Sequence, residues 1–395
     1  MEFINVKLSD IGEVVGGSTP FTKNPNNYDG NIAWITPKDL AGYNKVYISK
    51  GERNITEMGF KSCSTKILPK NSVLFSSRAP IGYVAISENN LCTNQGFKSI
   101  IPNDKIDYKF LYYLLKHNKD YIASKGSGST FKEVSGSVMK GIELSIPKDI
   151  NDQKKISKVL FDIDRKIELN NEINNNLEEQ LRLFFEEDIL KKLNNENTYE
   201  CSLYDQFDVI DNRGKTPPLV EYSKYPIIDV KVLSGTERVI NYNNCLKYVS
   251  KETYDTFFRS GHPKLYDTLL STVGSLAELK IYLENIGTIA QNVVALRPKN
   301  DYPLFMYQYI LSLKQRLTSY DIGSVQPSIK VTQFMKEIIK IPKDKDLIYK
   351  FENLANANTF KMKNLMMENR NLEQLRDTLL PKLMNGEIDL NNIEI

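Results

Sequence analysis

The chain has 395 residues, 41% hydrophobic and 26% charged, with 52 Lys+Arg against 49 Asp+Glu and a net charge of +3. That hydrophobic share is too high for a disordered chain, and no run of about 18 apolar residues is present to span a membrane. The opening Met-Glu-Phe-Ile-Asn-Val-Lys-Leu has neither the basic nor the apolar segment of an export signal, which predicts a cytoplasmic protein of roughly two to three domains. The scarce residues exclude more. The four cysteines (Cys63, Cys92, Cys201, Cys245) form no C-x-x-C pair, and the only histidines, His117 and His262, stand alone. That spacing argues against a disulfide framework and a structural zinc site, and the isolated histidines argue against a histidine triad.

In chain order, the runs 72–76, 83–86 and 98–101 are short, rich in β-formers and bounded by Gly, Pro and Asn, so they read as strands. Phe110, Leu111, Leu114 and Leu115 then take helical spacing within 108–121. From 151 to 193 no Gly or Pro intervenes, and Ile156, Leu160, Ile163, Ile167, Leu177, Leu181 and Phe184 form an apolar stripe. At about 1.5 Å per residue this is a helix of roughly 60 Å, too long to stand without a partner. Strands follow near 268–272 and 289–296, with a helix near 305–317. A second stripe, Phe351, Leu354, Met362, Leu365, Leu372, Leu375 and Leu379, ends at the stop signals Leu380-Pro381 and Asn385-Gly386. The two stripes predict an intramolecular antiparallel coiled coil, its register fixed by a polar zone at Asn170, Asn171, Asn174 and Asn175.

An internal repeat organises these elements. Ile146-Pro147-Lys148-Asp149 returns as Ile341-Pro342-Lys343-Asp344, an offset of 195. The same offset relates Val14 to Val209, Ser76 to Ser271 and Gly128-Ser129 to Gly323-Ser324, and within two residues of it Gln95 pairs with Gln291 and Thr19-Pro20 with Thr216-Pro217. Matches in one order at one offset mean two copies of a unit built as a globular part followed by a long helix. The expected fold class is α+β, with two α/β units at 1–148 and 198–343 and long helices at 149–197 and 344–395.

Residues 1–145 hold 18 basic and 13 acidic side chains and residues 200–340 hold 17 and 15, whereas 149–196 hold 8 and 12. A polyanion would therefore meet the globular units and not the connecting helix. Candidate contacts are the hydroxyl, amide and cationic side chains of the Gly-bearing loops: Thr36, Lys38, Ser76, Ser77, Arg78, Asn94, Gln95, Ser129, Thr130 and Lys132 in the first unit. Their counterparts in the second are Ser271, Thr272, Gln291, Asn292, Ser324, Gln326 and Lys330. The competing reading of each is a hydrogen-bonded turn residue. A different reading comes from Asp267, Glu278 and Lys280, spaced as in magnesium-dependent nucleases, in which paired carboxylates hold the metal. The first copy has no equivalent acids, with Ser72 and Tyr83 in their place.

The order of these segments resembles the specificity subunits of type I restriction-modification systems. The resemblance rests on Leu8-Ser9-Asp10-Ile11-Gly12, Gly16-Gly17-Ser18-Thr19-Pro20, Trp34-Ile35-Thr36-Pro37-Lys38-Asp39-Leu40, Phe75-Ser76-Ser77-Arg78-Ala79-Pro80-Ile81-Gly82, Cys92-Thr93-Asn94-Gln95-Gly96-Phe97 and the C-terminal Leu379-Leu380-Pro381-Lys382-Leu383-Met384-Asn385-Gly386-Glu387-Ile388. It implies that the globular units are target recognition domains, each reading half of a bipartite double-stranded DNA site, held apart by the paired long helices; a rigid helix pair of fixed length would then act as a ruler for the distance between the halves. It also implies partners: two modification (methyltransferase) subunits docked on the striped helices, and ATP-dependent restriction subunits, with no membrane. S-adenosylmethionine, ATP and Mg2+ would be held by those partners, with no cofactor and no catalysis on this chain. A purely structural scaffold whose units bind no DNA is the remaining alternative.

Overall fold

The structure, a computed structural model, describes residues 1–78, 80–128, 132–321 and 327–390. The sequence repeat is a repeat of elements. Strand Phe3–Lys7 returns as Thr198–Ser202, strand Gly12–Gly16 as Phe207–Asp211, helix Tyr108–His117 as Pro303–Ser312 and strand Glu143–Pro147 as Ile338–Pro342. The long helices, Ile150–Leu183 and Lys345–Met384, begin at the same offset. The chain packs as two compact units, Met1–Asn170 with Glu368–Ile395 and Asn171–Met367, so that each unit holds a stretch of both long helices.

In the first unit a five-stranded sheet has the order Gly12–Gly16, Lys98–Pro102, Val73–Ser77, Ile81–Ser87, Tyr47–Ile48. Every residue of Val73–Ser77 is buried, because both faces of the sheet are covered. Alternation sends Val73 and Phe75 toward Phe110 and Leu114 of the helix, while Leu74 and Ala85 face Ile35, Leu40 and Leu91. The second unit repeats this around a four-stranded sheet, Phe207–Asp211, Val293–Pro298, Thr268–Ser271, Leu279–Ile281. There Leu270 joins Phe305 and Ile310 on one face and Leu269 joins Ile228 and Ile289 on the other.

The long helices run antiparallel within each unit. In the first, Arg376 pairs with Asp164 at 2.7 Å, and six residues along Asn170 Nδ2 donates to Asn369 Oδ1 at 2.8 Å and to Glu368 Oε2 at 2.8 Å. In the second, Asn358 Nδ2 donates to Gln180 Oε1 at 2.9 Å, and the rings of Phe184 and Phe351 meet edge to face at 5.6 Å. A buried amide that finds its partners in one alignment only penalises slipped registers.

Three sequence expectations change in detail. The helix expected over 108–121 is Tyr108–His117 followed by Lys119–Ser124, broken where the Asn118 side chain donates to the Leu114 carbonyl at 2.8 Å. The run 289–296 is two strands, Thr288–Ile289 and Val293–Pro298, parted by a turn that carries Gln291. The second long helix passes through Pro381, whose missing N–H costs one hydrogen bond near the helix end, and stops at the other signal. There Gly386 takes φ +73° and Glu387 N–H bonds the Lys382 carbonyl at 2.9 Å.

Candidate nucleic-acid interface

Three loops converge at one edge of each unit, and buried hydroxyls join them. Ser76 Oγ donates to the Pro80 carbonyl and accepts from Tyr83 N–H, both at 2.8 Å. Ser271 closes its own hairpin identically, donating to Ser275 O at 2.6 Å and accepting from Glu278 N–H at 2.8 Å. One residue on, Ser77 donates to the Gly96 carbonyl through both N–H (2.7 Å) and Oγ (3.2 Å). Thr272 does the same to Asn292, at 2.9 and 3.3 Å. The third loop is tied on by Val134 N–H to Ser77 O (3.0 Å) and by Ile329 N–H to Thr272 O (2.8 Å). All four hydroxyl residues are fully buried. They bind loop to loop, and the polar groups left facing outward belong to other residues.

Those residues include Gln95 and Gln291, each exposed on the turn that the Ser77 or Thr272 bonds hold. Asn94 Oδ1 accepts from Gly96 N–H at 2.9 Å and tightens the first turn; Asn292 is half-buried. Lys132 and Lys330 are exposed on the third loop. Arg78 lies 3.7 Å and Lys98 3.3 Å from Glu133, one carboxylate between two cations. Thr36 is half-buried and Thr36 Oγ1 donates to Asp39 at 2.7 Å, while the exposed Lys38 pairs with Glu52 at 2.7 Å, a solvent-screened surface ion pair. Ser129, Thr130, Ser324 and Gln326 lie outside the described residues.

Sequence reasoning missed the arm at 17–21. Ser18 N–H bonds Thr93 O at 3.0 Å, Trp34 Nε1 donates to Ser18 O at 3.1 Å, and the Thr19 hydroxyl donates to Gln95 Oε1. The readable signal was Gly17: a Cβ there would lie 2.1 Å from Thr93 O and 2.3 Å from Asn94 O, so only glycine lets the arm lie against this turn.

Asp267, Glu278 and Lys280 do not assemble a site. Asp267 pairs with Tyr282 and Glu278 with Ser271 across the ladder, which sets the two acids four residues, about 13 Å, apart along the strands. Asp267 is held by Arg297 at 2.8 Å, Lys280 by Glu237 at 3.2 Å and Glu278 faces Lys314 at 3.4 Å. Burial raises the Asp267 pKa, with Arg297 opposing, and lowers that of Lys280, with Glu237 opposing. Among the described residues no three His, Cys, Asp or Glu side chains cluster as metal ligands. His262 is likewise structural: its ring stacks on Tyr254 at 3.7 Å and Nε2 donates to the Tyr254 carbonyl at 3.0 Å.

On the long helices, Ile156 and Leu160 are enclosed in the first unit's core, and Leu181, Phe351 and Met362 in the second's. Ile167 and Leu365 are also buried. Ile163, Leu177, Phe184, Leu354, Leu372 and Leu379 are half-buried and Leu375 is exposed. Leu169, Ile173, Leu183, Phe360 and Met367 add further exposed apolar side chains to the two helices. No helix among the described residues is long and apolar enough to cross a membrane.

A family model described as the type I restriction modification DNA specificity domain matches residues 2–179. The type I restriction enzyme MjaIX specificity subunit of Methanocaldococcus jannaschii is 34% identical over 406 aligned positions, covering 98% of this chain and 94% of that one. The Escherichia coli EcoR124I/EcoR124II specificity subunit is 29% identical over 184 positions, 45% of this chain and 44% of its own. The crystal structure of the S subunit of a type I restriction-modification system from M. genitalium superposes with a TM-score of 0.63 over 97% of this chain and 96% of that one, at 18% identity, and so shares the fold. Given the family match and the near full-length identity to MjaIX, the chain belongs to the specificity subunits of type I restriction enzymes.

Proposed function

We propose that each unit reads one half of an asymmetric bipartite site in double-stranded DNA. The observation that carries this reading is the repeated presentation of an exposed glutamine, Gln95 and Gln291, on turns clamped by the same pair of bonds from Ser77 and Thr272. A glutamine amide on a fixed turn has the geometry to bond the N6 and N7 edge of adenine in the major groove. Lys132 and Lys330 on the adjoining loops supply phosphate contacts, which position the protein without selecting sequence. The two units differ around the shared turn: Arg78 and Glu133 of the first are replaced by Val273 and Ser328, which bridge at the same place. Two diverged readers in one chain give an asymmetric site, where a symmetric dimer would demand a palindrome.

The exposed apolar residues of the long helices, Leu169, Ile173, Leu183, Phe360, Met367 and Leu375, are the proposed docking positions for two modification subunits. Apart from Leu375, the stripe residues named from sequence are buried or half-buried within the chain itself. Catalysis, S-adenosylmethionine, ATP and Mg2+ reside on the modification and restriction subunits, in the cytoplasm, and this chain supplies the address. Hydroxyl-radical footprinting of the chain assembled with modification subunits is expected to protect two separate blocks of a cognate duplex. The Lys132→Ala variant should weaken binding about equally on cognate and non-cognate DNA and lower its salt dependence. Assembly with no protection at any salt would leave the scaffold reading in its place.

A further inference from the structure

We infer that Phe21 is a specificity-determining residue of the first unit, packing its ring on the C5-methyl group of a thymine beside the base read by Gln95. The inference rests on the DNA reading above and concerns the same face. Its physical ground is the contrast between a fixed backbone and a bare side chain. Tyr28 Oη donates to the Pro20 carbonyl at 2.8 Å, and the Phe21 carbonyl accepts from Asn27 Nδ2 at 3.0 Å and from Asn24 N–H at 3.2 Å. With Ser18 pinned between Thr93 and Trp34, main-chain atoms at three of the four residues 18–21 are tied to the domain. The ring that this scaffold carries is nonetheless 66% exposed.

An exposed aromatic on a mobile loop tip needs no explanation. One held on a built arm is preorganised, so a contact made there loses little ordering entropy. The arm also fixes what lies next to the ring. Thr19, two residues before Phe21, donates to Gln95 Oε1, so the arm that carries the ring also touches the amide, with the Gln95 Nε2 end unpartnered among the described residues. In the major groove the thymine methyl is the one apolar feature of a base edge, and it neighbours the donors and acceptors that an amide reads. Lys23, exposed two residues further on, adds a cation to the same arm. The second unit has no such arm: at the offset that relates Thr19-Pro20 to Thr216-Pro217, Phe21 becomes Pro218, and Val220 N–H bonds Tyr248 instead.

The test uses the chain assembled with modification subunits and duplexes in which each thymine of the two half-sites is replaced, one at a time, by uracil, which lacks only the methyl. Wild type should lose about fourfold in affinity, the effect of one buried methyl, at one position of the first half-site. Phe21→Ala should bind the thymine duplex that much more weakly and show no further loss with uracil there, while responding like wild type elsewhere. Phe21→Leu should retain part of the sensitivity. An unchanged melting temperature for both variants confirms that the exposed ring is not needed for folding. Phe21→Ala binding like wild type, a uracil effect that persists undiminished in Phe21→Ala, or a first half-site with no methyl-sensitive position would each overturn the inference. Gln95→Ala on the same duplexes separates this from the parent reading. If it too leaves first-half discrimination intact, base reading by this face fails; if it abolishes discrimination while Phe21→Ala is silent, only the role of Phe21 falls.

Discussion

Replacing Gly17 by alanine is expected to relax the sequence requirement in one half of the DNA site and to leave the other half as it was. The added Cβ would lie 2.1 Å from Thr93 O, 2.3 Å from Asn94 O and 2.4 Å from the Thr93 carbonyl carbon, all main-chain atoms that cannot rotate away. Either the arm or the 93–96 turn must move, and they share the Ser18 to Thr93 bond and the Thr19 to Gln95 bond. Overpacking of this kind costs roughly 1–3 kcal/mol of stability, and a displaced Gln95 is expected to lose the base edge proposed for it. Since a good amide contact is worth about 1–3 kcal/mol of discrimination, first-half selectivity should fall at least about fivefold. Gly141→Ala, where an added methyl meets nothing within 4 Å, is the control and should bind like wild type. Competition binding with duplexes mutated in one half or the other reads the result. Equal loss from both halves would place the arm in general stability and not in recognition.

The largest stability effect is expected at Arg238. Its side chain is entirely buried. Nε and Nη2 grip Glu178 at 2.6 and 2.7 Å, Nη2 also donates to Gln308 Oε1 at 2.9 Å, Nη1 reaches Thr359 Oγ1 at 3.4 Å, and the guanidinium lies 5.2 Å from the Tyr307 ring centre. One residue thereby ties a loop of the second unit to both long helices. Burial alone would lower its pKa, but the Glu178 carboxylate more than compensates and the group stays charged. Arg238→Met leaves a mostly buried carboxylate and the Gln308 and Thr359 acceptors without their donor, which costs about 3–5 kcal/mol. Removing the orphaned charge as well, in Arg238→Met/Glu178→Met, should restore much of that loss, because two apolar side chains can replace a buried ion pair. Denaturant unfolding of the four proteins closes the cycle. A single-variant loss below about 1 kcal/mol, or no recovery in the double variant, would mean that the network carries little.

The repeat was legible because both copies keep their lengths. With Ile146-Pro147 aligned to Ile341-Pro342, the first two strands of each unit, the Tyr108–His117 and Pro303–Ser312 helices and the starts of the long helices fall at the same offset. The helix stripes were legible too, since burial on one side imposes its period wherever a long helix packs. What a stripe could not tell was its partner: Ile156 and Leu181 face the cores of their own units, and an apolar period is the same whether another helix or another protein covers it. The loops were harder. Ser76, Ser77, Ser271 and Thr272 have the chemistry of DNA contacts, and only the fold reveals that their hydroxyls are consumed in tying loops together. Gln95 has the same polarity and ends on the surface. The Thr19 to Gln95 bond joins positions 76 residues apart, and no local pattern announces a contact of that range. Glycine was the exception, because a residue without Cβ marks a close approach whatever the approaching strand is.

The central claim, that two diverged units each read one half of the site, is tested most directly by mapping methylated adenines on genomic DNA after co-expression with modification subunits. Wild type is predicted to mark a motif of two different specified blocks separated by an unspecified spacer, with Gln95→Ala degrading one block only and Gln291→Ala only the other. A single uninterrupted motif, a palindrome, or both substitutions degrading the same block would contradict it.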